Sequence, residues 1–356
     1  MSLEFHTLRI SEVTSLTDDA ITVTFDVPPE SIEEFRFLPG QHVTLRASID
    51  GQDVRRSYSI CSNANEGKLR VGIKRLPGGL FSNWAISTLR AGDEMEVMSP
   101  VGEFCIDPRP EGRVHRVAIA AGSGITPVIS LISTTLEVEQ GSSWSLLYGN
   151  RTANSVMFLE ELEGLKDRYP DRFQLFHILS REGSDIPFLS GRIDAEKIET
   201  VHSRLLGGLV AEAWYLCGPF DMVTVARSTL IQMGVDPAHI HDELFFAGPP
   251  DPAVRTPEPA AGEGSVELTV ILDGRAVETR MRPETSILDA ALRVRSELPF
   301  SCKGGMCATC KGRIEQGEVR MDKNYALIDS EVEAGYVLTC QSHPLTDHVV
   351  VRYDHR

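Results

Sequence analysis

No apolar run in the sequence approaches the roughly 18 to 20 residues needed to span a bilayer. The opening residues, MSLEFH, also lack a basic region followed by an apolar stretch, so no secretion signal is visible and the cytoplasm is the expected compartment. Basic charge is in short supply: 35 Lys and Arg stand against 51 Asp and Glu, a formal net charge of −16. Recognition of nucleic acid needs clustered Lys and Arg, and that class of partner is excluded. The deficit is concentrated, with −14 carried before Ser265 and −2 from there on. Such an acidic surface either steers docking onto a basic partner patch or serves solubility alone. A disulfide framework is missing too. Seven cysteines make an odd count, four of them fall in the last 55 residues, and a secreted disulfide scaffold would be shorter. In a reducing compartment so dense a cysteine group points to bound metal.

What is present describes a globular chain of 356 residues, 42% hydrophobic and 24% charged, long enough for two or three domains. One boundary stands out. Residues 247–264, AGPPDPAVRTPEPAAGEG, show no periodic apolar pattern and read as a semi-extended linker. Up to about residue 105 the pattern is β. Ile21, Val23, Phe25 and Val27 alternate, residues 41–47 alternate, Asp50-Gly51 supplies a hairpin turn, and Leu69, Val71 and Ile73 continue the pattern. Several short strands with turn signals suggest a sandwich or barrel.

From about residue 113 strands alternate with helices. Val114–Ala121 is a compact apolar run suited to a buried parallel strand. Thr126 as N-cap with Pro127 at the first helical position predicts a helix reaching about Glu137. Leu146–Tyr148, Phe173–Leu179 and Ala213–Cys217 read as further strands of a βαβ series. Beyond the linker Val266, Leu268, Val270 and Leu272 alternate into the hairpin signal Asp273-Gly274. Ser286–Val294 then forms a short helix with Ile287, Leu288, Ala291 and Leu292 on one face. A hairpin, a packed helix and a cysteine loop make a compact α+β unit. No internal repeat is visible.

That loop carries the strongest signal. Cys302-Lys-Gly-Gly-Met-Cys307-Ala-Thr-Cys310, with Cys340 in VLTCQSHP, has the C-x₄-C-x₂-C…C spacing of plant-type [2Fe–2S] ferredoxins. Four thiolates must converge on two irons, so one tight loop supplies three and a distant strand the fourth. Gly304 and Gly305 are expected to take positive φ and aim N–H groups at the sulfurs. Ala308 and Thr309 are small enough to avoid crowding. Structural zinc is the competing reading, although zinc sites usually pair their ligands as C-x₂₋₄-C twice over. Centres of the ferredoxin type lie around −400 mV, low enough to reduce an oxygen-activating metal site. Cys61 and Cys105 fall outside the pattern and read as core residues.

Arg56-Ser57-Tyr58-Ser59, Gly79-Leu80-Phe81-Ser82, Gly122-Ser-Gly124-Ile-Thr126-Pro127 and Cys217-Gly218-Pro219 occur in an order that resembles the ferredoxin–NADP⁺ reductase superfamily, over most of residues 1–246. The resemblance implies three domains: an antiparallel β-barrel for FAD over 1–108, an α/β Rossmann-like nicotinamide domain over 109–246, and an α+β β-grasp ferredoxin domain over 265–356. Arg56 offers a forked cation to a pyrophosphate. Tyr58 offers a ring to stack on the isoalloxazine, and the Ser59 hydroxyl can bond the flavin nitrogen that accepts hydride. Standing alone, an edge-strand Arg and a packing Tyr would look the same. Gly79 to Ser82 opens a helix whose N-terminal amides favour phosphate. Ile73 and Lys74 complete the flavin set.

Gly122, Gly124, Thr126 and Pro127 follow an apolar strand, where two glycines let the backbone approach a pyrophosphate, although the G-x-G-x-x-G fingerprint is incomplete. Cys217, with Gly218 and Pro219, lies beside the nicotinamide in the superfamily, which implies a part in hydride transfer. A buried structural cysteine is the plain alternative. Glu243 and Phe245 are candidates for a polar group and an aromatic lid over the flavin. Arg151, Ser180-Arg181 and Arg192 at strand ends favour the 2′-phosphate of NADPH over NADH, with Glu182 as a contrary neighbour.

The likeness extends further. LPGQHVTLRASIDGQDVRRSYSIC, IAAGSGITP, YGNRT, LSGRID, SILDAAL, CKGGMCATCKG and AGYVLTCQSHPLT together resemble the reductase subunits of ring-1,2-phenylacetyl-CoA epoxidases. That family implies hydride from NADPH to flavin, single electrons to the cluster, and delivery to a di-iron oxygenase subunit in phenylacetate degradation. The sequence lacks a carboxylate–histidine repeat for a di-iron site of its own, which agrees with a partner doing the oxygen chemistry. A linker swing between flavin and outside acceptor is part of this expectation. A reductase for another aromatic oxygenase is the first alternative, and an iron–sulfur redox sensor without turnover is one of a different class.

Overall fold

The computed structural model describes residues 5–206, 210–245, 265–272, 274–295 and 298–354. The linker at 247–264, Asp273 of the second hairpin signal and the first four residues lie outside the described residues. Two compact units result: a larger one running from Phe5 through the end of the parallel sheet, and a smaller C-terminal one with which Arg55–Ser57 group.

The larger unit opens with an antiparallel sheet of β1 (Phe5–Thr17), β2 (Ala20–Asp26), β3 (His42–Ile49), β4 (Gln52–Ser59), β5 (Leu69–Lys74) and β6 (Glu94–Met98), in the order β4-β3-β6-β1-β2-β5. Asp50 and Gly51 both take positive φ, +50° and +75°, which is what a two-residue turn matching strand twist requires. The ends of the sheet meet. Ile60, just past β4, bridges to Val71 of β5, and the Cys61 N–H donates to the Arg70 carbonyl at 2.8 Å. The alternation read from the sequence turns Val23, Val43, Leu45, Val71 and Val97 into the barrel core, closed at one side by Phe81 and Ala85 of α1 (Leu80–Thr88). Cys61 is buried as expected, whereas Cys105 is only half-buried.

A parallel sheet follows: β7 (His115–Ala121), β8 (Ser143–Asn150), β9 (Phe173–Leu179), β10 (Ala211–Gly218) and β11 (Ile240–Leu244), ordered β11-β10-β7-β8-β9. Helices α2 (Ile125–Val138), α3 (Leu159–Arg168), α4 (Ala195–Thr200) and α5 (Phe220–Gln232) connect the strands. Period-two alternation divides β7 between two cores: Ala118 and Ala120 face Ile125, Val128 and Ile132 of α2, while Val117 and Ile119 join Ile198 of α4 and Val223 and Leu230 of α5. Sheet and barrel share a seam. A Cβ on Gly72 of β5 would lie 2.6 Å from Thr126 Cγ2, so only glycine admits α2 there. Thr126 is not the N-cap predicted from the sequence. A 3₁₀ turn, Gly122–Gly124, feeds straight into the helix, and the Thr126 hydroxyl donates back to the Ser123 carbonyl at 3.0 Å. Pro127 sits in the first turn, where a missing N–H costs nothing.

The smaller unit is a mixed sheet, β13-β12-β18-β14-β16, with a separate pair β15–β17. Its elements are β12 (Val266–Leu272), β13 (Arg275–Met281), α6 (Ile287–Ala291), β14 (Lys311–Gln316), β15 (Val319–Met321), α7 (Asp329–Glu333), β16 (Tyr336–Leu338), β17 (Ser342–Pro344) and β18 (His348–Arg352). Ser286 caps α6, accepting the Asp289 N–H at 3.1 Å, and α6 buries Ile287, Ala290 and Ala291 against Leu268, Val270 and Val351. Among the described residues no helix is long and apolar enough to cross a membrane.

Candidate functional site

Strands β10 and β11 end side by side, with Cys217 in register with Glu243. The Glu243 carboxylate is met from both halves of the larger unit. The Ser59 hydroxyl at the end of β4 donates to Oε2 at 3.2 Å, the Cys217 thiol approaches the same oxygen at 4.0 Å, and His42 Nδ1 at the start of β3 lies 3.9 Å from Oε1. Burial lifts the Glu243 carboxyl to about 7 against the opposing pull of the Ser59 hydrogen bond. Burial also lowers His42 to about 4 and drives the Cys217 thiol well up. Between about pH 4 and 7 the His42–Glu243 contact is therefore one between uncharged groups, not an ion pair. Ser59, Cys217 and Glu243, expected separately from the sequence, converge here.

His42 is not among the residues expected from the sequence. A signal for it exists, because a histidine at the head of an alternating strand, followed by the buried Val43, Thr44 and Leu45, is itself a buried polar group. Its Nε2 is buried with no partner among the described residues, a polar atom suited to a ligand beside the barrel.

On β4, Arg56 and Tyr58 share one face and Ser57 and Ser59 the other. The Arg56 guanidinium donates to the Arg55 carbonyl at 2.7 Å. The half-buried Tyr58 ring lies 5.6 Å from Phe81. Phe81 and Ile73 are themselves sealed in the barrel core, leaving only their backbone to face a ligand. Gly79 occupies the N-cap of α1 without a side-chain cap, and Leu80 behind it is exposed. The Ser82 hydroxyl is engaged, accepting the Leu76 N–H at 3.0 Å. Lys74 reaches Asp19 at 3.5 Å and the Ser155 carbonyl at 3.4 Å. The orphan Nε2 of His42, the uncapped helix start and the Tyr58 ring together fit a flavin nucleotide.

The parallel sheet reverses its winding between β10 and β7, and such switch points hold ligands at the carboxyl ends of the strands. The loop there is built from glycine. Gly122 has φ +55°, and a Cβ on Gly124 would fall 2.1 Å from the Cys217 carbonyl oxygen. Thr126 and Pro127 are buried in α2. Gly218 ends β10, Pro219 precedes α5, and the Phe245 N–H donates to the Gly218 carbonyl at 3.0 Å. Phe245 packs against the α2 core. At the neighbouring strand ends the Arg181 N–H donates to the Arg151 carbonyl at 2.8 Å and the Ser180 N–H to Asn150 at 2.9 Å, so both arginines emerge together, exposed. Arg192 follows Ser190, which bridges back to Leu179. Glu182 is committed elsewhere, accepting the Ala153 N–H at 3.0 Å.

In the smaller unit the four cysteines fall into two thiol pairs, Cys302 with Cys307 and Cys310 with Cys340. Among the described residues no three His, Cys, Asp or Glu side chains converge on a single-ion site. The Cys302 thiol is lowered to about 6, first by its hydrogen bond to Cys307 and then by N–H groups of the loop. Gly304 and Met306 donate to its sulfur at 3.3 and 3.4 Å. Gly305 takes positive φ (+80°) as expected, but Gly304 does not. The other left-handed positions are Lys303 (+49°) and Ala308 (+50°), held there by contacts rather than by lack of a side chain. Two paired thiol sets with sulfur-directed amides fit a two-iron cluster.

Three family models match segments of the chain. Residues 7–106 match the oxidoreductase FAD-binding domain, 118–228 the oxidoreductase NAD-binding domain and 270–345 the 2Fe-2S iron-sulfur cluster binding domain. The chain is 44% identical over 351 residues to a subunit of the 1,2-phenylacetyl-CoA epoxidase of Escherichia coli K12, covering 98% of each chain. It is 31% identical to the ferredoxin reductase component of 3-ketosteroid-9-alpha-monooxygenase of Rhodococcus rhodochrous, covering 97% of this chain and 96% of that one. Its fold matches phthalate dioxygenase reductase with a TM-score of 0.61 at 22% identity, over 98% of both chains.

Proposed function

The chain belongs to the family of flavin- and [2Fe–2S]-dependent oxygenase reductases that includes this 1,2-phenylacetyl-CoA epoxidase component, and from that premise we propose that it carries electrons from NADPH to the di-iron oxygenase of a phenylacetyl-CoA-epoxidising complex. The reading is carried by one observation: a barrel hydroxyl and a cysteine of the nicotinamide-type sheet meet at a single buried carboxylate, in a chain that also presents four paired thiols.

Bound flavin supplies the conversion of a two-electron hydride into single electrons, and the cluster carries them one at a time. The protein supplies position. Gly122 and Gly124 admit the dinucleotide backbone at the switch point, and Arg151 and Arg181 receive a 2′-phosphate with a pair of permanent cations. Arg56 and the start of α1 take the flavin pyrophosphate, while Tyr58 flanks the ring. Cys217 and Ser59 fix the approach of nicotinamide to flavin, and the Glu243 carboxyl holds a proton up to about pH 7 beside them. Cys302, Cys307, Cys310 and Cys340 hold the cluster.

Anaerobic titration with NADPH and NADH, following flavin and iron–sulfur absorbance separately, tests the internal path. Both chromophores are expected to bleach with NADPH at low equivalents. Adding a phenylacetyl-CoA-oxidising complex then tests the acceptor, with epoxidation dependent on this chain as the expected result. Efficient turnover only with a different oxygenase would favour the second reading, for which the 31% relationship to a ketosteroid monooxygenase component speaks.

A further inference from the structure

Cys340 sits between two residues that each reach back to the cysteine loop. On one side the Thr339 hydroxyl donates to the Cys310 carbonyl at 2.8 Å and accepts the Tyr353 hydroxyl at 2.9 Å. On the other, the Gln341 side-chain amide donates to the Lys303 carbonyl at 2.8 Å and to the Cys340 carbonyl at 3.2 Å. The bond to Lys303 matters more than its position suggests. The Lys303 carbonyl and the Gly304 N–H belong to one planar trans peptide, so they point in opposite directions. Gln341 grips the oxygen, and the N–H at the far side donates to Cys302 Sγ at 3.3 Å.

This peptide is under tension. Lys303 stands in the left-handed region at φ +49°, which a side chain accepts only when its surroundings enforce it. Its ammonium is anchored to Asp289 of α6 at 2.7 Å, and the Ser286 hydroxyl fixes that carboxylate at 2.9 Å. Gln341 is fixed in turn: its backbone carbonyl accepts the Asp322 N–H at 2.8 Å, and a Cβ on Gly305 would come within 3.2 Å of its Cγ.

We propose that Gln341 is a positioning residue that sets the reduction potential of the [2Fe–2S] centre by aiming the Gly304 N–H at the Cys302 sulfur. The proposal rests on the reading of the four cysteines as cluster ligands. An N–H donated to a ligating sulfur stabilises the added electron, so its loss moves the potential to a more negative value. Gln341 is itself neither a ligand nor part of the ligand loop.

The test uses the full chain, loaded with flavin, iron and sulfide, as Gln341→Met and Gln341→Glu. Methionine keeps the length and removes the donor; glutamate places an acceptor against the Lys303 carbonyl. Iron, sulfide and flavin are quantified first, and potentiometric titration is then followed by electron paramagnetic resonance of the reduced cluster. In both variants the cluster midpoint is expected to fall below that of the parent, further for Gln341→Glu, with flavin midpoints unchanged and the resonance shifted. Midpoints equal to the parent's in loaded variants overturn the proposal, as does failure of both variants to retain a cluster, which would make Gln341 an assembly residue. A parent protein containing zinc, or lacking sulfide, overturns the ligand reading itself and is recognised before any potential is measured.

Discussion

Ser59 and Glu243 stand 184 positions apart in the chain and are joined by a 3.2 Å hydrogen bond between the barrel and the last strand of the parallel sheet. A buried carboxyl with a pKa raised from 4.5 to about 7 binds a proton on folding. Its stabilising contribution is complete below 4.5 and is lost as the pH climbs through 7. His42, lowered from 6.5 to about 4, behaves oppositely, contributing above 6.5 and losing that contribution as the pH drops through 4. Urea midpoints measured across this range in parent, Glu243→Gln and His42→Phe should show each slope vanish with its residue. An alkaline slope unchanged in Glu243→Gln would contradict the assignment.

Cys217 should be a thiol rather than a thiolate at every working pH, since burial and the nearby Glu243 both oppose its ionisation. Peptide mapping after iodoacetamide treatment of native protein should find Cys217 unmodified. In Cys217→Ala, single-turnover flavin reduction by NADPH should slow on the order of 10- to 100-fold, with the flavin spectrum intact.

Gly124→Ala places a methyl group where the Cys217 carbonyl oxygen is 2.1 Å away, which forces the loop off the end of β10. A loss of about 1–3 kcal/mol in stability is expected from the overpacking, and nicotinamide affinity should fall while flavin content stays that of the parent. Calorimetry and equilibrium titration of the same preparation separate the two effects.

Removing the cations at the strand ends tests cofactor choice. In the double variant Arg151→Ala, Arg181→Ala, kcat/KM for NADPH should drop by about 10- to 100-fold, the worth of charge-assisted bonds to one phosphate. The value for NADH should hardly change. Equal losses for both nucleotides would assign the arginines to general binding.

Arg172 closes the end of α2, donating to the carbonyls of Leu136, Glu139 and Ser142 at 2.9, 3.0 and 3.2 Å. Arg172→Ala should destabilise the protein by about 1–3 kcal/mol through orphaned carbonyls, read as a lower denaturation midpoint with unaltered flavin content.

Local patterns are legible where the physics is local. Alternation in residues 20–27 and 41–47 marks barrel strands, the apolar run before Gly122 marks the central parallel strand, and cysteine spacing marks the two-iron loop. Glycine is less transparent. The residue pair Gly304-Gly305 suggests two left-handed positions, yet the fold assigns one of them to Lys303, where Asp289 and Gln341 supply the restraint. His42 and Gln341 escape a reading of the sequence: the place of His42 at the head of an alternating strand marks a buried polar group but names no partner, and nothing about Gln341 is unusual along the chain. Each acquires its role from a partner that only tertiary structure brings near, a buried carboxylate in one case and a peptide oxygen in the other.

The missing side chain at Gly72 limits how this molecule can be recombined. Because the first turn of α2 presses a threonine methyl into that gap, a foreign nicotinamide half grafted onto this barrel must offer a residue no bulkier at the same place. Chimeras designed by cutting only at surface loops will overlook that restriction, and their fit will be decided by one hydrogen atom on strand β5.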